Sequence, residues 1–304
     1  MGGFFALLAA LSFTFDNILV RRGLMEENPG TIWDLRFVVN LSSLAFFLFV
    51  ALGAALFGHN ILVELQQLSL LQVFLLAFSG AVGPLVGALL YTTSIGQIGA
   101  SHSSALWGGS NPLFAALLAF VLLREVPDLV GFLAVLVIVG GIVVVGYHGH
   151  EGTVMLLKKT RLAGGVLALL SGFCVAFSQV GRGAAIQLGA TPGAALLVFH
   201  ATPFLFITFA CLIRSRNLTH IRDISPVSLL CYSGAGVGAL VASYSILLAF
   251  TLIPVWQAVA IRNFQPILVL VFTWLFLKRT DRITPRLAAG SFLVTLGVLI
   301  LNLY

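Results

Sequence analysis

Ten mostly apolar stretches, each long enough to cross a bilayer, follow one another along this chain with only short polar breaks between them. They run approximately over residues 2–22, 33–57, 70–93, 100–123, 129–147, 163–182, 192–213, 227–250, 255–277 and 283–303. A helix needs about 20 such residues to span the hydrocarbon core. Within lipid every backbone polar group must be paired internally, which leaves helices or closed barrels. Runs this long do not alternate in and out as barrel strands must. Composition agrees: only 9% of the 304 residues are charged and 60% are hydrophobic, against about 25% charged in an ordinary soluble domain. The expected fold class is all-α integral membrane. The first run begins at Gly2 without a basic segment before it and continues past Asp16 to Arg21, so it reads as a spanning helix and not as a targeting segment.

Turn and helix-start signals mark the breaks: Asn28-Pro29-Gly30, Gly58-His59-Asn60, Arg124–Asp128, Thr191-Pro192 and Ser225-Pro226. The connections at Ser94–Gly99 and around Leu252–Pro254 are so short that the spans they join must form antiparallel hairpins. The longest polar interruption is central and divides the chain into residues 1–147, a connecting loop 148–161, and residues 162–304. The halves echo one another weakly. Residues 2–22 laid on 164–184 match at Gly2/Gly164, Gly3/Gly165, Ala6/Ala168 and Phe15/Phe177, and Asp16-Asn17 falls on Ser178-Gln179. Asn111-Pro112 similarly lies over Gln265-Pro266. An odd number of spans per repeat inserts the second copy upside down, so the expected architecture is two inverted five-helix repeats around a central cavity.

The net charge of +6 sits in clusters between apolar runs, which fits membrane orientation better than a nucleic-acid surface, and no nucleic-acid partner is expected. Odd-numbered connections carry Arg21, Arg22, Arg36, Lys158, Lys159, Arg161, Arg214, Arg216, Arg222, Lys278, Arg279, Arg282 and Arg286, whereas even-numbered ones carry Arg124 and Arg182. The positive-inside rule then puts both termini outside an inner (plasma) membrane. Cys174, Cys211 and Cys231 fall in apolar runs without CxxC spacing and read as small hydrophobes.

The stretch Tyr91–Val145 has an aromatic-led helix end, a tight hairpin, a polar-then-Pro helix, a leucine-rich tail ending in Arg124-Glu125, and a Gly-bearing last helix. Tyr244–Leu301 repeats the outline with Pro266, Gly290 and Gly297, but has Arg279 where the Glu would fall. Leu35-Arg36-Phe37 supplies a basic-aromatic step early in the second span. This pattern resembles the drug/metabolite transporter superfamily, in its EamA-like branch. The resemblance implies export or exchange of amino acids, metabolites or drugs through a cavity between the halves. It also implies cytoplasmic termini, against the charge bias.

Charges inside spans single out candidate residues, since each costs about 2.5–3.5 kcal/mol at the bilayer centre. Asp16 reads either as an ion-pair partner of Arg36 or as a proton-coupling carboxylate. Arg262, with no acid at its depth, suits a carboxylate or phosphate, or else snorkels. Arg182 reads as an interfacial snorkeller. Pro112 and Pro266 occupy matching positions in spans four and nine and favour kinks. Around them fall His102, Trp107 and Asn111 from one half and Asn263 and Gln265 from the other, with Tyr91, Gln179, His200 and Tyr244 on further spans. Together they describe an amphipathic cavity for a neutral, zwitterionic or anionic solute.

The expected activity is therefore alternating-access transport of small organic solutes, most simply amino acids (aromatic ones included, through Trp107) or related metabolites. Coupling to a proton or substrate gradient stays open, and no cofactor or metal is expected. The expected partners are a small-molecule substrate and the lipid bilayer, with a monomeric chain. The rival classes are an intramembrane enzyme, for which GxSxG, HExxH and paired carboxylates are missing, and a non-transporting scaffold, which would not explain the repeat.

Overall fold

The computed structural model describes the chain apart from residues 25, 29, 57, 59, 99, 126–127, 147–157, 214–222, 266, 269–270, 273–284 and 304. The described residues form helices: α1 (Gly2–Leu24), α2 (Ile32–Leu56), α3 (Ile61–Gln66), α4 (Leu70–Gly80), α5 (Ala88–Ile98), α6 (Ala100–Leu118), α7 (Leu129–Gly146), α8 (Lys158–Gln187), α9 (Pro192–Ile213), α10 (Pro226–Phe250), α11 (Val255–Arg262) and α12 (Pro285–Leu303). Two π-helical turns, Ala81–Gly87 and Ala119–Leu123, join α4 to α5 and extend α6. Among the described residues, seven helical stretches are long and apolar enough to cross a membrane, and Leu129–Gly141 in α7 is a shorter apolar one. Large apolar side chains such as Phe49, Leu52, Leu56, Phe209 and Leu230 stand on the outside, as a hydrocarbon solvent allows.

The turn signals act where the sequence puts them. Asn60 Oδ1 accepts from Leu62 N (3.0 Å), so the break after the second span opens the short helix α3. Asp128 Oδ1 accepts from Gly131 N (2.9 Å) and starts α7. Ser225 Oγ accepts from Ser228 N (3.0 Å) at α10, ahead of Pro226, which lacks a donor and fits the first turn. The sixth span differs from expectation. It reads from sequence as 163–182, but α8 continues through Arg182 to Gln187, because Ala184-Ala185-Ile186 prolong the apolar run.

Helices from the two parts of the chain intermesh. α1 packs along α10, the α4–α5 rod along α8, α6 along α8, α2 along α9 and α10, α4 along α9, and α7 along α12; α11 touches α1 and α6. Small residues carry these contacts, since helices in lipid gain by close packing and not by the hydrophobic effect. A Cβ at Gly141 in α7 would stand 2.8 Å from Gly290 O, and one at Gly297 in α12 would stand 3.0 Å from Ala134 O. Serines add hydrogen bonds to carbonyls across the same approaches. Ser43 Oγ donates to Gly236 O (2.6 Å), Ser178 Oγ to Ser79 O (2.7 Å), and Ser171 Oγ to Gly87 O (2.7 Å).

The even-numbered connections are laced together at one end of the bundle. Gln187 Nε2 donates to Glu125 Oε1 (2.7 Å), and the other carboxylate oxygen accepts from Trp256 N (3.4 Å) at the start of α11. Thr191 Oγ1 donates to Glu64 Oε2 (2.5 Å), and Gln72 Nε2 to Leu188 O (2.8 Å).

Candidate functional site

Polar side chains accumulate where α1 and α6 meet α8, α9 and α11. The local cause is a broken ninth span. α11 stops at Arg262, and Asn263 and Phe264 form a turn, with Asn263 N bonded to Val259 O and Phe264 N to Ile261 O (both 3.1 Å). Pro266, which itself lies outside the described residues, has no N–H for the Arg262 carbonyl, so a helix could not continue through this point without losing a bond. Pro112, by contrast, is held inside continuous α6.

The break presents Asn263 to the first half of the chain. Its Nδ2 donates to Asn111 Oδ1 (3.2 Å) and to Val259 O (2.7 Å), while Asn111 Nδ2 donates to Gly172 O on α8 (3.2 Å). Gln265 Nε2 reaches Phe13 O in α1 at 3.5 Å. One turn before Asn111, Trp107 lies against Tyr91 with ring centroids 5.7 Å apart. Tyr244 is 43% exposed on α10. His102 lies in α6, and its side chain is outside the described residues.

Two arginines dominate the electrostatics. Arg262 is 4% exposed, with its guanidinium 4.6 Å from the Phe13 ring centroid; Arg182 is 3% exposed and lies 4.1 Å from that of Phe199. The snorkelling expected for Arg182 is therefore corrected. Since α8 runs on past it, the side chain turns into the bundle and not toward the headgroups. The two guanidiniums lie within electrostatic range of each other, as do Arg182 and His200. Depth explains the meeting. Arg182 is five residues from the end of α8 and Arg262 seven from the start of α11, so both sit roughly 8–10 Å below the same face of the bundle.

No carboxylate among the described residues forms an ion pair with either arginine; the ion pair found within 4 Å is Arg22–Glu26, at 3.7 Å. Arg182 Nε and Nη1, Arg262 Nε, Gln179 Nε2 and Oε1, and His200 Nε2 are all buried without a hydrogen-bond partner. Stacking on a desolvated ring supplies about 2 kcal/mol, but a ring face accepts few of the N–H groups. The cluster is thus short of acceptors and of negative charge. Asp16 does not supply them. It is half-buried against Gly238 of α10, and its charge interacts with Arg36 without closing to an ion pair.

These features define a polytopic helical membrane protein with a buried polar, cationic cluster between its two chain halves. Residues 1–147 match the family model described as the EamA-like transporter family, so the first half of the chain is similar to that family. A solved structure described as "Crystal structure of protein" has a similar fold, with a TM-score of 0.77 at 13% identity over 99% of this chain and 96% of that one. At that identity the likeness speaks for the fold alone. The comparison with curated proteins gave no match.

Of the residues singled out in the sequence, Asn111 and Asn263 are hydrogen-bonded to each other, Gln265 and Arg262 both reach Phe13, His200 lies within electrostatic range of Arg182, and Gln179 is buried on α8 one turn before Arg182. Sequence reasoning missed Arg182, although the apolar Ala184–Ile186 after it was the available signal. It also missed Pro84 inside the π-helical turn of the third span and Pro203 inside α9.

Proposed function

We propose that this protein moves small organic solutes bearing an anionic group, amino acids (aromatic ones included) or related metabolites, across a plasma membrane by alternating access. The observation that carries the reading is Arg262, buried where α11 ends, with no acid among the described residues in ion-pair contact. An anionic group would meet its fork of donors and supply negative charge where the protein has none. The stacked pair Trp107 and Tyr91, one turn along α6 from Asn111, offers a flat wall for an aromatic ring.

Two inverted five-helix halves are the architecture this reading needs. Support comes from the packing pattern, which is preserved when each helix of one half is exchanged for its sequence counterpart in the other. α1 on α10 answers α8 on the α4–α5 rod, and α6 on α8 answers α11 on α1. Residues matched by the internal echo also meet equivalent partners, Ser178 lying against Gly83 and Asp16 against Gly238. Alternating access further needs an end that closes, and the laced even-numbered connections have that form. The charge bias puts them, and both termini, outside. An enzymatic role is not favoured by any residue in the cluster. The test is counterflow in proteoliposomes. Saturable uptake of labelled amino acid driven by unlabelled solute inside is expected, and Arg262→Ala should abolish it. Uptake that never saturates would overturn the carrier reading.

A further inference from the structure

The cluster holds two cations where a carboxylate needs one. A single carboxylate presents two oxygens in one plane and is satisfied by one guanidinium fork. Bound to Arg262, it would leave Arg182 buried with Nε and Nη1 still unserved and its charge uncompensated. Each guanidinium carbon lies over one ring, Phe199 for Arg182 and Phe13 for Arg262, while its N–H groups point outward in the guanidinium plane toward an acceptor. The unserved atoms are mostly donors: three arginine nitrogens and Gln179 Nε2, with Gln179 Oε1 the one obligate acceptor and His200 Nε2 able to serve either way. A tetrahedral oxyanion carrying two charges answers each of these facts. Its non-bridging oxygens accept from several directions, its charge cancels both arginines, and its ester oxygen leaves the organic part free to extend toward Trp107.

Resting on the transporter reading above and narrowing its range of anionic solutes, we propose that Arg182 and Arg262, with Gln179 and His200, form a binding site for a phosphate monoester, so that phosphorylated metabolites are bound in preference to amino acids. The arginines come from different elements, α8 and α11, which touch at Gly183 and Val255. Ligand binding therefore ties the broken helix to α8, directly beneath the Glu125 contacts that close the same end.

The test compares inorganic phosphate, phenyl phosphate, succinate and phenylalanine at matched ionic strength, first by thermal shift of the purified full chain and then by counterflow. Phenyl phosphate is expected to bind on the order of tenfold or more tighter than phenylalanine. Arg182→Gln should remove that preference while melting at the same or a higher temperature without ligand, because a buried unpaired charge has been removed. Arg182→Lys, which keeps the charge but loses the fork, covers the case of a Gln variant that does not fold, and should weaken phosphate binding by about tenfold. A preference for succinate over both phosphates would overturn the proposal, as would phosphate binding undiminished in Arg182→Lys. Saturable phenylalanine counterflow without a phosphate response would overturn it too, but would leave the carrier reading standing. Phosphate binding without flux of any solute would support the site and defeat the carrier reading.

Discussion

Asn263 donates from Nδ2 to Oδ1 of Asn111 at 3.2 Å, a hydrogen bond between side chains 152 positions apart in sequence. It joins the turn that ends α11 to the middle of α6, and through Asn111 Nδ2 to Gly172 of α8. Three helices are thereby held around the arginine cluster. Interhelical hydrogen bonds in membranes average about 0.6 kcal/mol, because the unfolded chain in lipid also finds partners. A double-mutant cycle of Asn111→Ala and Asn263→Ala in detergent unfolding should therefore return a coupling of roughly 0.5–1.5 kcal/mol. Strictly additive losses would show that the two amides do not work together.

Adjacent glycines in α7 should respond oppositely to the same change. A Cβ at Gly141 would stand 2.7 Å from Val294 Cγ2 and 2.8 Å from both Gly290 O and Val294 N, whereas one at Gly140 would meet nothing within 4 Å. Gly141→Ala should cost about 1–3 kcal/mol by forcing α7 and α12 apart. Gly140→Ala should be neutral or gain up to about 1 kcal/mol from the lower backbone entropy of alanine. Thermal melting of the two variants side by side checks this, and equal destabilisation would count against the close contact.

Glu125 ties α8 to the first turn of α11 and places a carboxylate where a helix N-terminus favours one, a contribution of about 0.3–1 kcal/mol. Glu125→Ala should therefore raise the population open at this end by up to about fivefold. In a background with Cys174, Cys211 and Cys231 replaced by alanine, Ser79→Cys is a suitable reporter, since Ser79 is 1% exposed beside Gly181 of α8. An impermeant thiol reagent should modify it several-fold faster when Glu125→Ala is added. An unchanged rate would mean that Glu125 does not hold this end closed.

Orientation is decided by which loops face the reagent. In the same cysteine-free background, Leu188→Cys, in the connection between α8 and α9, should be labelled on intact cells. Asn217→Cys, in the following connection, should react only after permeabilisation. The reverse pattern would place both termini in the cytoplasm, as the family resemblance implies.

The sequence alone determined the solvent of this protein and its secondary structure. Long uninterrupted apolar runs admit only helices in lipid, and Asp128, Thr191-Pro192 and Ser225-Pro226 end or begin those helices through local bonds that need no distant partner. It also exposed Arg262 as a cation without an acid, because charge and depth can be counted along one helix. The partner of Arg262 was beyond its reach. Whether Arg182 snorkels or turns inward depends on the length of α8 beyond it and on Phe199, which is contributed by another helix. The two arginines belong to helices far apart in sequence that touch at Gly183 and Val255. Tertiary packing alone brought two like charges to one depth and one site, because helices in a bilayer choose neighbours by the close fit of small residues, a property of surfaces that linear spacing does not encode.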